Sequence, residues 1–151
     1  MRYAFVSAAL ALLALAPLSG QADPKPRNSK PIEEIIAQLE KTYDPIVEIS
    51  FDDGVWEVEA FKGETAYELA VDPRTGEVIS ELRDYGEDRP PAGSLSLSAI
   101  LSLLAKDGYT DVVEIDYERG RWEIEAFRNR QKRELHVDPE TGRVTFDRVD
   151  D

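Results

Sequence analysis

The chain has 151 residues, no cysteine, and 31 acidic against 18 basic side chains, for a formal net charge of −13. That balance disfavours nucleic acid and anionic membrane surfaces as partners, because both would repel it. With no disulfide available, the fold must be held by its core alone.

The first 22 residues carry the parts of a secretory signal: basic Arg2, an apolar run from Ala4 to Leu15, and small residues ending at Gly20-Gln21-Ala22. Cleavage is expected after Ala22, which leaves about 129 residues and takes the charge to −14 with the loss of Arg2. The apolar run is shorter than the ~20 residues that cross a hydrocarbon core and no second run follows, so no membrane span is expected. No cysteine follows the cleavage site to carry a lipid. The expected destination is periplasmic or secreted.

Residues 23–83 form the first expected unit. Pro31 sits in the first turn of a helix that Asn28 or Ser29 can cap, and Ile32, Ile35, Ile36 and Leu39 make one apolar stripe. Asp53-Gly54 then signals a two-residue hairpin, which pairs Asp52 with Val55, Phe51 with Trp56, Ile49 with Val58 and Val47 with Ala60. A third strand puts Tyr67, Leu69 and Val71 on the same face. Asp72-Pro73-Arg74-Thr75-Gly76 turns the chain into a fourth strand, Glu77 to Leu82. Residues 84–94, with Pro90-Pro91-Ala92-Gly93, read as a linker.

The second unit, residues 95–151, repeats the first. Leu97, Ile100, Leu101 and Leu104 form its helical stripe, with a serine cap and a stop at Gly108. Val47-Glu48-Ile49 recurs as Val113-Glu114-Ile115, Trp56 to Phe61 as Trp122 to Phe127, and Val71-Asp72-Pro73 as Val137-Asp138-Pro139, each 66 residues on. The fold class is therefore α+β: two tandem repeats, each one N-terminal helix packed on a three- to four-stranded antiparallel sheet.

The helix, the acidic hairpin and the closing run Tyr67-Glu68-Leu69-Ala70-Val71-Asp72-Pro73-Arg74-Thr75-Gly76-Glu77-Val78 resemble the PepSY domain, and Glu134 to Val144 repeats the closing motif. The resemblance covers nearly the whole mature chain. PepSY domains occur in propeptides of secreted metallopeptidases, where they restrain or help fold the enzyme, and as free-standing exported proteins. The resemblance implies a binding or regulatory module that is not an enzyme, with another exported or periplasmic protein such as a peptidase as partner. The tandem layout is also similar to the β-lactamase inhibitory proteins, in architecture alone, since those carry disulfides.

Residue chemistry points the same way. The lone histidine, His136, has Ala70 as its counterpart and lacks the companions that nucleophilic or zinc chemistry needs. No cofactor and no metal site is expected. Trp56 and Trp122 read as core, and the Asp-Pro-x-Thr-Gly runs read as turns that lack an EF-hand ligand pattern. One conflict stands out. The hairpin register sets Glu48 across from Glu59, with Glu57 and Glu68 on the same face, and the second copy sets Glu114 across from Glu125 and Asp116 across from Glu123, with Glu134 beyond. Opposed like charges are unfavourable. These carboxylates are the candidates for meeting a basic partner or a divalent cation, and Arg128, Arg130, Lys132 and Arg133 are the basic-loop candidates. A cation-responsive protein and an enzyme using paired carboxylates are the alternatives; the enzyme requires a cleft between the copies.

Overall fold

The structure is a computed structural model that describes residues 25–86 and 88–150; the expected signal segment lies outside the described residues. The chain order is α1 (Ile32–Leu39), β1 (Ile46–Asp52), β2 (Val55–Lys62), β3 (Thr65–Val71), β4 (Val78–Asp84), α2 (Leu97–Lys106), β5 (Thr110–Glu118), β6 (Arg121–Arg128), β7 (Gln131–Val137) and β8 (Val144–Val149). All eight strands join one antiparallel sheet in the order β4-β3-β2-β1-β5-β6-β7-β8. The two groups of four strands are thus not separate sheets: they meet edge to edge where Glu48 lies opposite Asp116 and Ile49 opposite Ile115.

The expected stripes are buried in both helices: Ile32, Ile35, Ile36 and Leu39 in α1, and Leu97, Ile100, Leu101 and Leu104 in α2. They share one apolar cluster with Ile49, Val58, Leu69, Ile115, Ile124 and Leu135, so both helices cover the same face of the sheet. Alternation along the strands leaves the polar residues on the other face. The helices are also tied to each other. Glu40, at the C-terminal end of α1, accepts the Ser98 backbone N–H at 3.1 Å and the Ser98 hydroxyl, a carboxylate at the N-terminal end of α2 where the helix dipole favours it.

The tight turns follow their chemistry. Asp53 and Gly54 have φ of 46° and 81°, and Arg119 and Gly120 have 53° and 79°, the paired positive values a type I′ turn requires. Asp72 Oδ1 accepts the backbone N–H groups of Arg74 and Thr75, and Asp138 Oδ1 does the same for Glu140 and Thr141. Each of these turns also holds the segment before a helix: Pro73 O accepts from Lys30 N at 2.8 Å and Pro139 O from Leu95 N at 2.9 Å.

Two local expectations are corrected. Ala60 pairs with Ile46, not Val47, because a bulge lies between Ile46 and Glu48. The extra residue lets Ile46 and Val47 both reach the core, at 1% and 5% exposure, which strict alternation would forbid. The α1 cap is also different. Pro31 holds the N-cap position with no side-chain hydrogen bond, and the Ser29 hydroxyl donates instead to Pro26 O at 2.8 Å. In α2 the serine cap is present as Ser96, which accepts from Ala99 N at 3.2 Å.

Candidate functional site

The helix-free face of the sheet gathers the carboxylates. Cross-strand pairing runs Glu68, Glu59, Glu48, Asp116, Glu123 through β3, β2, β1, β5 and β6, so five acidic residues stand side by side across five strands. The row continues into His136 and Phe146 on β7 and β8. A second, shorter row runs Glu114, Glu125, Glu134, and ends at Arg148. Glu57 lies opposite Ala70 on the same face. The hairpin register predicts Glu48 with Glu59, Glu114 with Glu125 and Asp116 with Glu123, whereas the pairings onto β3 and β7 and the central contact between Glu48 and Asp116 lie outside it.

The two halves treat these charges differently. In the second half, Arg121 pairs with Glu123 at 2.7 Å, Lys132 with Glu125 at 2.5 Å, and Arg148 with Glu134. His136 Nε2 lies 3.9 Å from Glu123 and 3.8 Å from Glu134, its ring stacked on Phe146 at 4.5 Å. The counterparts of Arg121, Lys132, His136 and Arg148 in the first half are Val55, Ala66, Ala70 and Leu82, all uncharged. Among the described residues, Glu48, Glu57, Glu59 and Glu68 have no ion-pair partner.

Burial, with repulsion between neighbouring carboxylates added to it, shifts the acids upward. Burial first, then the charges of Glu59, Asp116, Glu114 and Glu57, push the Glu48 carboxyl up to about 8. Burial and then Asp84, Glu68 and Asp116 push Glu59 up to about 7. Glu57, Glu114 and Asp116 are raised as well, chiefly by burial; for Glu114 the nearby Lys132 opposes the rise.

The basic-loop candidates are largely spent inside the protein. Lys132 also pairs with Asp150 at 2.9 Å, Arg133 pairs with Asp147 at 2.6 Å, and Arg128 lies 3.8 Å from Asp147 with its guanidinium 4.9 Å from the Tyr109 ring. Arg130, at the hairpin tip with φ of 65°, makes no ion pair among the described residues. The tryptophans sit on the opposite, helix-covered face, each 1% exposed and edge-on to its cross-strand partner: Phe51 with Trp56 at 5.2 Å, Tyr117 with Trp122 at 5.1 Å.

One residue that sequence reasoning passed over is Lys25. Its ammonium lies 4.4 Å from the centre of the Trp56 ring and donates to Val112 O at 2.9 Å, bridging the halves. Burial lowers its pKa, while Asp111 and Glu33 oppose that. A signal for it exists in the sequence: Lys25-Pro26 and Ser29 align with Pro90-Pro91 and Ser94 at an offset of 65, one less than in the strands.

Among the described residues, no group of three or more acidic or histidine side chains is placed to hold a metal ion, and no helix is long and apolar enough to cross a membrane. No curated protein matches the sequence. The solved structure of a "putative lipoprotein" from Clostridium difficile 630 is similar at 15% identity and a TM-score of 0.45, over 83% of this chain and 96% of that one. The family described as "Peptidase propeptide and YPEB domain" matches residues 1–82 and again 85–147, segments that each end in the Asp-Pro-x-Thr-Gly turn and the strand after it. The chain belongs to that PepSY family, which it matches twice in tandem.

Proposed function

We propose that this is an exported, non-catalytic binding module whose carboxylate row engages a basic segment of another exported protein, a peptidase being the partner class that the family's description suggests. One observation carries the reading: five acidic residues aligned across five strands, of which the first-half members have no counter-ion among the described residues. Such a row costs stability in the free protein and is relieved when lysine or arginine side chains arrive. The carboxylates are strung along a line instead of converging on a point, a geometry that suits a row of cationic side chains better than one divalent ion. They also lie on an open sheet face and not in a cleft between the copies, as paired-carboxylate catalysis would need.

The test is retention of exported proteins by the immobilised wild type and by the Glu48→Gln/Glu59→Gln variant, at low and high salt. The variant is expected to lose the salt-sensitive partners. Retention of the same partners by both proteins would remove the carboxylate row from the interface. A calcium or magnesium thermal-shift titration checks the cation alternative: no rise in the midpoint is expected.

A further inference from the structure

The sheet has two outer edges, and they are finished differently. β4 pairs only with β3, and β8 only with β7. On β8 the charges are spent within the chain: Asp147 pairs with Arg133 at 2.6 Å, Arg148 with Glu134, and Asp150, just past the strand, with Lys132 at 2.9 Å. Its exposed aromatic, Phe146, is stacked on His136. A charged and internally satisfied edge is a poor template for another strand. β4 carries apolar residues where β8 is polar: Leu82 stands where β8 has Arg148, and Ile79 where it has Thr145. Ile79 is 61% exposed, Leu82 59%, and Tyr85, just past the strand, 87%. The charges of β4 are also unmatched. Glu81 accepts the Tyr43 hydroxyl, but neither Glu81 nor Arg83 has an ion-pair partner among the described residues.

Two copies of β4 complement each other. When an edge strand pairs antiparallel with its own copy, the two-fold axis runs through the sheet, so like faces stay together and residues of the same face must meet. Leu82 is on the carboxylate face, opposite Glu68, while Glu81 and Arg83 are on the helix face, opposite Leu69 and Tyr67. An axis at Glu81 or at Arg83 opposes like charges, and one at Ser80 sets Glu81 against Ile79. An axis at Leu82 does neither. It sets Leu82 against Leu82, Glu81 against Arg83 twice, and Ser80 against Asp84 twice, and with the pairing carried one residue past β4 it brings Ile79 against Tyr85.

We infer that β4 is the edge at which a second copy of this chain joins, continuing the sheet across a two-fold axis at Leu82. Backbone hydrogen bonds hold the edges together, and the Glu81–Arg83 pairs and the Leu82 contact fix the register. The strand is complementary to itself, which an isologous interface requires and an unrelated strand has no reason to reproduce. The same register sets the two carboxylate rows end to end on one face, whatever they bind. One seven-residue strand buries less than the ~800 Å² per partner of a standard interface, so the dimer is weak. The net negative charge of each copy opposes approach, and salt at about 0.15 M screens it beyond about 8 Å.

The experiment is sedimentation equilibrium of the full mature chain at that ionic strength, from about 5 μM to about 1 mM. A monomer–dimer equilibrium is expected, with a dissociation constant on the order of 100 μM. Leu82→Arg, which gives β4 the side chain of β8 at an exposed position, should weaken it by about tenfold or more. Arg83→Glu and Glu81→Arg should each weaken it as well, because each opposes like charges twice, and the two together should restore wild-type association. A dimer that Leu82→Arg leaves intact, or charge reversals that fail to compensate each other, would overturn the inference. So would a chain that stays monomeric throughout, which would leave the edge to a strand of another protein, and so would masses that grow beyond the dimer, the mark of β4 meeting β8 head to tail.

Discussion

Trp56 and Trp122 hold corresponding places under the two helices, each edge-on to an aromatic neighbour across its hairpin. Truncating either to alanine removes a ring that is 1% exposed and leaves a void the sheet cannot close, so each change is expected to cost about 3–5 kcal/mol by denaturant titration. A loss below about 1 kcal/mol would mean the ring is not part of the core. Glu48 and Glu59 predict the reverse behaviour. Their replacement by glutamine keeps the shape, removes opposed charges, and should raise the stability of the free protein at pH 8 by about 1 kcal/mol while leaving it nearly unchanged at pH 5, where both carboxyls are largely protonated. Equal effects at the two pH values would show that packing, not charge, sets the difference.

At the scale of the elements, the turn after each third strand does two jobs: it reverses the chain and clamps the segment entering the helix. Gly142 shows how closely it is fitted. At φ of 69° a side chain is already strained, and a Cβ there would lie 2.4 Å from Leu103 Cδ1. At Gly54 the φ is similar, 81°, but nothing lies within 4 Å. Gly54→Ala is therefore expected to cost about 1–2 kcal/mol from backbone strain alone. Gly142→Ala should cost about 1 kcal/mol more, because Leu103 must turn away from α2's packing. Similar losses at both sites would mean that Leu103 moves freely. Elements of this kind were readable in advance, since Asp-Gly turns, strand alternation and helical stripes are local rules. What the local rules could not supply was the bulge at Val47, which exists because the core takes two consecutive side chains from β1. Nor could they give the Lys25 bridge, whose carbonyl acceptor is 87 residues away.

The junction of the halves belongs to the whole molecule, and it was the least readable part of the sequence. Charge pairing would have argued against a seam that sets Glu48 beside Asp116. The gain is on the other face, where Ile49 and Ile115, both 0% exposed, meet across the same seam and join the two helix-covered cores into one. Hydrophobic burial wins because it is available at any pH, whereas the carboxylates can avoid part of their repulsion by holding protons.

That compromise makes stability depend on pH. An acid whose folded pKa is raised binds its proton more tightly in the folded state, so the folded protein carries extra protons between the ordinary glutamate value and the raised one. With Glu48 near 8 and Glu59 near 7, stability should fall as pH climbs from about 4.5 to about 8, and level off above that. Glu57, Glu114 and Asp116 add in the same direction. Asp138, Asp147 and Asp150 are lowered instead, so what they contribute is lost only as pH falls below the ordinary aspartate range. The maximum should therefore lie near pH 5. Allowing for solvent screening of a partly open face, the loss between pH 5 and 8.5 is expected to be about 1–3 kcal/mol, several degrees in melting temperature for a chain of this size. Melting curves at fixed ionic strength measure it directly, and Glu48→Gln should flatten the profile most. Because Glu48 sits on the seam, amide exchange at Ile49 and Ile115, corrected for the intrinsic pH dependence, should accelerate first. A melting temperature that holds level or rises from pH 5 to 8.5 would mean that the carboxylate row is ionised and solvated throughout, and that the seam is indifferent to its charge.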